Sequence, residues 1–231
     1  MALRLLVQRL EVPPSVGRFE LQYKMKIVCI SDTHSLHNRM EIPNGDLLIH
    51  AGDLSSRGGM NEIADFNEWL GTLPHPDKVI IAGNHDFGFE RYPKEAKALI
   101  TNAKYLNDSG ITIEGLKIWG SPIQPWFYDW AFNRQRGKDI RKHWDMIPTD
   151  TDILITHGPP FGILDDTERG EKVGCKDLMD IIQTRVKPRL HVFGHIHEAY
   201  GQQQVGDTLF VNASMVNLAY RPVNQAIVVE I

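Results

Sequence analysis

The sequence predicts an α/β fold in which two sheets form the core and helices lie outside them. Five short apolar runs end in polar or glycine residues, as buried strands do. Apolar residues at helical spacing separate several of these runs, and further strand-like segments indicate a second, strand-rich layer. Because the chain has 231 residues, 42% of them hydrophobic, it is long enough for one large domain with a packed core.

The predicted elements alternate along the chain. Helices are indicated around Ile63, Phe66 and Leu70, and again from Leu178 to Val186. The predicted buried strands are 26–30, 46–51, 78–82, 152–156 and 190–193. The segments assigned to the second strand-rich layer are 111–120, 207–214 and 226–231.

Residues 25–231 are expected to form the single domain, and residues 1–24 an extension of it. The apolar part of the extension contains Arg4 and Arg9 and ends at a Pro-Pro pair, which is not the pattern of a secretory signal. We expect the extension to be an arm or an artefact of the assigned start site. An extra edge strand is the remaining alternative.

Composition argues against several classes of protein. A net charge of −4 provides no basic field for an extended nucleic acid. No apolar run approaches the roughly 18 residues of a membrane span, so a soluble protein without a membrane partner is expected. Two cysteines, Cys29 and Cys175, are too few for a disulfide framework and lack metal-binding spacing. The sequence therefore favours a reducing, cytoplasmic location.

Each of the five buried strands leads into residues that bind metals or transfer protons. The motifs SDTH, GD, GNHD, THG and GHIH occur in that order, at 31–34, 52–53, 83–86, 156–158 and 194–197. Because parallel strands that end at one edge bring distant residues together, these groups should converge. Mixed carboxylate and imidazole ligands suit manganese, iron, nickel, cobalt or zinc. The candidates outnumber the ligands of one ion and suit two ions that share a carboxylate.

The ordered motifs resemble those of the calcineurin-like metallophosphoesterases over about residues 26–200. Segments 120–133, 157–165 and 193–201 are similar to the small, phosphodiesterase-like branch that includes the metallophosphoesterase-domain-containing proteins of animals. The resemblance implies a four-layer α/β/β/α sandwich of two mixed sheets flanked by helices. It also implies phosphoester hydrolysis by water activated at two divalent or trivalent metal ions. Some animal members have glycine in place of the first histidine of the last pair, whereas this chain keeps His195.

The resemblance implies three ligands for each ion and one shared by both. They are Asp32, His34 and His197 for the first ion, Asn84, His157 and His195 for the second, and Asp53 for both. Two other histidines, His50 and His191, lie inside apolar strands and are expected to be structural.

Three residues of the GNHD motif are implied to act on the substrate side of the site. Asn84 would contact substrate as well as metal. His85 would reach the phosphate, where it would stabilise developing charge or protonate the leaving oxygen. Asp86 would orient the ring of His85 and favour its protonated form.

The stretch 121–138 is irregular and rich in proline and aromatic residues. Within it, Trp126 and Phe127 are candidate substrate contacts, because an aromatic face can stack on a nucleobase. A packed insert or a contact between subunits of a homo-oligomer would explain the same composition.

The expected substrate is a small phosphodiester, with nucleotides, including cyclic nucleotides, as the main candidates. The alternative enzyme is a phosphomonoesterase or phosphoprotein phosphatase. A nucleotide-binding scaffold with vestigial activity is the alternative from outside the enzymes. An intact histidine at position 85 favours an enzyme, because a scaffold needs no acid beside the phosphate.

Overall fold

The computed structural model describes residues 24–231. The prediction for the extension, residues 1–24, concerns a segment that lies outside this range except for Lys24. The strands are β1 Lys26–Ile30, β2 Leu47–Ala51, β3 Asp77–Ile81, β4 Lys104–Tyr105, β5 Ser109–Ile113, β6 Leu116–Ser121, β7 Gln124–Pro125, β8 Asn133–Arg134, β9 Ile153–Thr156, β10 Leu190–Phe193, β11 Gly201–Val205, β12 Thr208–Asn212 and β13 Ile227–Glu230.

Two mixed sheets contain most of these strands. The first has the order β13-β1-β2-β3-β4, in which β1 to β4 are parallel and β13 runs antiparallel to β1. The second has the order β11-β12-β10-β9-β6-β5, and its four central strands are parallel. Strands β7 and β8 form a small separate pair. The five buried strands predicted from apolar runs are all confirmed.

The assignment of residues 226–231 to the second layer is wrong. Strand β13 pairs with β1, where Val229 lies opposite Ile27, and so becomes an edge of the first sheet. A strand-like pattern predicts extended backbone, but the sheet that the strand joins depends on which edge offers free hydrogen-bonding groups.

Alternating side chains build the core. From β1, Ile27 and Cys29 pack between the two sheets with Ile153 and Ile155 of β9. Val28, on the opposite face of β1, packs with the helical residues instead. Because successive strand residues point to opposite faces, each sheet buries one face against the other sheet and one against helices. The predicted four-layer sandwich is confirmed.

The helices are α1 Met60–Thr72, α2 Phe87–Arg91, α3 Pro93–Leu99, α4 Lys138–Trp144 and α5 Lys176–Ile181, the last continuing into a π-helical turn, Ile182–Val186. Helix α1 connects β2 to β3, and Glu62 caps its start by accepting a hydrogen bond from the Gly59 N–H at 2.9 Å. None of the helices among residues 24–231 is long and apolar enough to cross a membrane.

Candidate metal centre

The loops that follow β1, β2 and β3 meet the loops that follow β9 and β10. They bring together all seven predicted metal ligands, Asp32, His34, Asp53, Asn84, His157, His195 and His197. Four of these come from the first sheet and three from the second. The convergence expected from strand ends is therefore present, and it spans both sheets.

The backbone of the centre turns sharply. Asp32, His34, Asp53 and His195 all have positive φ angles, between 42° and 70°. This left-handed conformation is uncommon for residues other than glycine, and it costs on the order of 1–3 kcal/mol where the surroundings enforce it. Such turns allow a chain that leaves a strand to direct its next side chains back across the sheet edge. Four of the seven predicted ligands therefore lie on strained backbone.

Two glycines permit the close approach of these loops. A Cβ atom added at Gly194 would lie 2.1 Å from Asp32 Oδ2, and one at Gly83 would lie 2.3 Å from Asp53 Oδ1. Any side chain at either position would displace a carboxylate of the centre. The glycines in the GNHD and GHIH motifs are therefore required by packing.

The first set of ligands, Asp32, His34 and His197, forms one compact group. Their donor atoms all lie within 4.8 Å of one another. His197 Nε2 is 3.4 Å from Asp32 Oδ1 and 3.4 Å from His34 Nε2. This group is the three-residue set predicted for the first ion.

The second set of ligands is centred on the side-chain oxygen of Asn84. Asn84 Oδ1 lies 2.8 Å from His157 Nε2 and 2.8 Å from His195 Nδ1. Asp53 lies between the two sets, with its Oδ2 3.3 Å from His157 Nε2 and 3.8 Å from His34 Nε2. Asp53 thus faces both ligand sets, which is where the resemblance implies a shared ligand.

The hydrogen bonding of His157 indicates that a cation fits here. Its Nδ1 lies 3.0 Å from the carbonyl oxygen of Ala51, which can only accept, so Nδ1 carries the proton. In the neutral ring, Nε2 then presents a lone pair to two further acceptors, the side-chain oxygens of Asn84 and Asp53. Three acceptors facing one another at these distances favour a positive charge between them, which a second ring proton or a metal ion would supply.

The ionisation of the centre supports the same conclusion. Burial is the largest single influence on His157 and would lower its pKa, but the charge and hydrogen bond of Asp53, the charge of Asp32 and the Ala51 carbonyl together raise the pKa to about 9. Burial would raise the pKa of the Asp53 carboxyl, yet the charge and hydrogen bond of His157 and the charges of neighbouring histidines together hold it below its usual range. Burial lowers the pKa of His34 to about 4 and that of His195 to about 3. Ionised carboxylates and neutral imidazoles, such as those of His34 and His195, are the forms that bind metal ions. A metal ion held by His157 would take the place of the second ring proton that its raised pKa indicates.

His85 is half-buried beside the centre, and two contacts fix its ring. Its Nδ1 lies 2.9 Å from the carbonyl oxygen of Ser56, which requires a proton on Nδ1 and leaves Nε2 free for another partner. The indole of Trp130 stacks on the ring at a centroid distance of 4.4 Å. His85 also offers a nitrogen within 4.8 Å of donor atoms of His34 and Asp53.

The prediction that Asp86 orients the ring of His85 is wrong. The fully buried carboxylate of Asp86 accepts hydrogen bonds from the backbone N–H groups of Gly83, Leu54 and Ser55 and from the Ser55 hydroxyl. Burial raises its pKa to about 7. Asp86 therefore ties the loop after β2 to the loop after β3, which holds Asp53 and Asn84 in place.

The predicted substrate residues of the aromatic stretch border the centre. Trp126 and Phe127 are about half exposed and line a cavity of about 380 Å³ that Asp53, Asn84 and His85 also line. The Phe127 ring lies 6.2 Å from that of His195, centroid to centroid. The stretch is also packed in part, because Phe132 is buried. The residues that line the cavity and the residue that packs in the core are thus different residues of one loop.

Sequence reasoning missed three residues that contact the site histidines: Ser56, Trp130 and Tyr220. Trp130 and Tyr220 lie on irregular loops and carry no periodic pattern. Ser56 acts through its carbonyl group, which every residue has. The aromatic content of 121–138 was the signal available for Trp130, but it could not distinguish Trp130 from its aromatic neighbours.

Known proteins share both sequence and fold with this chain. A calcineurin-like phosphoesterase family profile matches residues 25–199. Metallophosphoesterase domain-containing protein 1 of Homo sapiens is 45% identical over 243 residues, covering 95% of this chain and 72% of that protein. A UPF0046 protein of Caenorhabditis elegans is 39% identical, covering 90% of this chain and 81% of that protein.

Among solved structures, the protein TT1561 of Thermus thermophilus has the same fold. It superposes with a TM-score of 0.55 at 14% identity, over 82% of this chain and 88% of that chain. The resemblance that the ordered motifs predicted is confirmed by the family profile, which covers more than half of the chain. The chain belongs to the calcineurin-like phosphoesterase family.

Proposed function

We propose that this protein is a dinuclear, metal-dependent phosphodiesterase that hydrolyses small phosphodiesters, with nucleotides, including cyclic nucleotides, as its substrates. The observation that carries the proposal is the position of Asp53. Its Oδ2 faces the ligand set of Asp32, His34 and His197 on one side and that of Asn84, His157 and His195 on the other.

The two ligand sets suit divalent ions such as manganese, iron, nickel, cobalt or zinc, because both combine imidazole nitrogens with oxygen donors. Two such ions supply charge that neutralises phosphoryl oxygens and lowers the pKa of an attacking water. The chain itself fixes the geometry. The Ala51 carbonyl holds the ring of His157, and the Asp32 carboxylate accepts from the His195 N–H at 3.1 Å.

His85 is the proposed proton donor to the leaving oxygen. The Ser56 carbonyl holds the proton on Nδ1, so Nε2 faces the substrate side. To act as an acid there, the ring must be an imidazolium, which gives its Nε2 proton to the leaving oxygen and keeps the proton on Nδ1. The ring lines the same cavity as Asp53 and Asn84. A proton delivered there would neutralise the alkoxide that forms as the ester bond breaks.

The walls of the cavity favour a diester. Arg136 is the one lysine or arginine that lines it within residues 24–231. Its guanidinium already donates to the carbonyl oxygens of Val173 and Gly174, each at 2.8 Å. The wall therefore offers little positive charge to stabilise a phosphomonoester dianion. A diester carries a single negative charge and needs less positive charge around it. Trp126 and Phe127 offer aromatic faces on which a nucleobase can stack.

The test uses metal-stripped protein restored with single ions and assayed on a panel of phosphoesters. The panel contains cyclic nucleotides, a synthetic aryl diester, an aryl monoester and a phosphopeptide. We expect hydrolysis of the diesters to return with at least one of the five transition metals and to exceed that of the monoester. Faster monoester or phosphopeptide hydrolysis would favour a phosphatase, and binding of nucleotide without any hydrolysis would favour a scaffold.

A further inference from the structure

The turn formed by residues 217–221 covers the metal centre from outside the segment that the family profile matches, residues 25–199. At its tip, the ring of Tyr220 lies 4.8 Å from that of His34, 5.4 Å from that of His197 and 6.0 Å from that of His85, measured between centroids. One tyrosine thus contacts two predicted ligands of the first ion and the proposed proton donor.

The turn is built to present this side chain. The Asn217 side-chain oxygen accepts hydrogen bonds from the N–H groups of Ala219 and Arg221, at 3.0 and 3.1 Å. The Asn217 N–H donates to the Arg221 carbonyl, and the Asn217 carbonyl accepts from the Tyr220 N–H at 2.8 Å. Tyr220 itself has a φ of 54°, the same left-handed conformation as four of the predicted ligands. The strain marks Tyr220 as a residue held in place by its surroundings.

The hydroxyl of Tyr220 is available to a ligand. The side chain lines the cavity shared with Asn84 and His85, and the residue is 46% exposed. Within residues 24–231, the hydroxyl makes no hydrogen bond to the protein. The neutral phenol of a tyrosine is a hydrogen-bond donor. The oxygens of a phosphoester are acceptors, so the chemistry of the two groups is complementary.

We propose that Tyr220 is a substrate-binding residue whose hydroxyl donates a hydrogen bond to a phosphoryl oxygen of the ester bound at the centre. The inference rests on the proposed function, because it assumes that an oxyanion lies between the two ligand sets and His85. If Tyr220 had only a structural role, its hydroxyl could be removed without effect on substrate binding or turnover.

Replacement Tyr220→Phe tests the hydroxyl alone. Because a hydrogen bond to a charged group stabilises a complex more than one between neutral groups, we expect its loss to lower kcat/KM for diester hydrolysis about 10- to 100-fold. Metal content and Tm should stay at the wild-type values. Tyr92→Phe is the matched control, because Tyr92 is exposed and does not line the cavity. Wild-type kcat/KM in Tyr220→Phe, or a loss of metal from it, would overturn the proposal.

The turn provides a second test that does not alter the tyrosine. Asn217→Ala removes the oxygen that accepts from Ala219 and Arg221, whereas Asn217→Asp keeps an acceptor at the same position. We expect Asn217→Ala to lower kcat/KM about 10-fold and Asn217→Asp to recover most of that loss. Equal activity of the two variants and the wild type would show that the turn does not position Tyr220 for substrate.

Binding of inorganic phosphate to the metal-loaded protein separates this inference from the proposed function. We expect phosphate to bind the wild type and to bind Tyr220→Phe about 10-fold more weakly, whether or not any diester is hydrolysed. If the wild type hydrolyses nothing but the difference in phosphate affinity is present, the proposed function fails and the role of Tyr220 stands. Equal phosphate affinity of the two proteins, or no binding to the wild type, would overturn the role of Tyr220.

Discussion

The indole of Trp130 stacks on the imidazole of His85, with ring centroids 4.4 Å apart and planes inclined by 29°. Because His85 is otherwise fixed at Nδ1 by the Ser56 carbonyl, the stack limits rotation of the ring about that hydrogen bond. Trp130→Leu should therefore lower turnover about 10-fold for a substrate with a poor leaving group, as a misplaced proton donor is less effective. Trp130→Phe keeps an aromatic face and should stay near the wild-type rate. Equal rates for the Leu and Phe variants would contradict the role of stacking.

Replacement of His85 separates proton transfer from metal binding. His85→Ala should retain two ions and lose turnover by roughly 10² to 10⁴, the usual contribution of a positioned acid or base. An activated leaving group needs no proton and should be affected less. Metal analysis beside the kinetics decides the assignment, because loss of one ion would show that His85 is a ligand. The distances of His85 to donor atoms of His34 and Asp53 make that outcome a direct test.

Asp53 should be the least replaceable of the ligands. Asp53→Asn removes the charge that faces both ligand sets and should lower the occupancy of both ions together with turnover. Asp32→Asn is the matched comparison and should weaken the first ion more than the second, since Asp32 lies beside His197. The measurement is metal content after dialysis. A variant of Asp53 with two ions and a normal rate would refute the shared position.

Asp86 should matter for stability before it matters for chemistry. Asp86→Ala leaves the buried donors of Gly83, Leu54 and Ser55 without their acceptor. We expect the free energy of unfolding of the metal-free protein to fall by about 2–4 kcal/mol. Asp86→Asn keeps one acceptor oxygen and should lose less. Denaturant titrations of both variants check this, and wild-type stability in Asp86→Ala would be inconsistent with the hydrogen-bonding pattern.

Trp126 and Phe127 test the choice of substrate. In the proposed mechanism, two ions and His85 recognise only the phosphate, so discrimination between substrates would come from residues outside the centre. Replacing either aromatic residue with alanine should raise KM for a cyclic nucleotide while barely altering hydrolysis of a small diester without a base. Tyr128→Ala is the control, because Tyr128 is exposed and does not line the cavity. An equal loss of activity on both substrates would show that these side chains serve packing and not recognition of a base.

The sequence was sufficient to predict much of the centre because each ligand follows an apolar run at short distance. An apolar run of about five residues predicts both a buried strand and the position at which it ends. Because β1, β2 and β3 are parallel, the polar residues that follow them lie at the same edge of the sheet. The sandwich itself followed from the resemblance. Residues such as Asp32 and His157 were thus predicted before their contacts were known.

The errors and omissions share a physical cause, which is that side-chain direction and sheet membership are tertiary properties. Asp86 is adjacent to His85 in the chain, yet its carboxylate points towards the loop after β2. Residues 227–230 are extended as predicted but pair with β1 in the other sheet. Tyr220 contacts His34 only because an irregular turn crosses the centre. No periodic pattern in the sequence encodes such contacts.

The division of the ligands between two sheets has a consequence for the order of events during folding. Asn84 and His157 are 73 positions apart in the chain and follow strands of different sheets. In the proposed dinuclear centre, the cations would therefore find their full ligand sets only after the two sheets have docked. Metal uptake should be a late step that slows separation of the sheets, so ions added after refolding would lengthen the lifetime of the native protein without accelerating its formation.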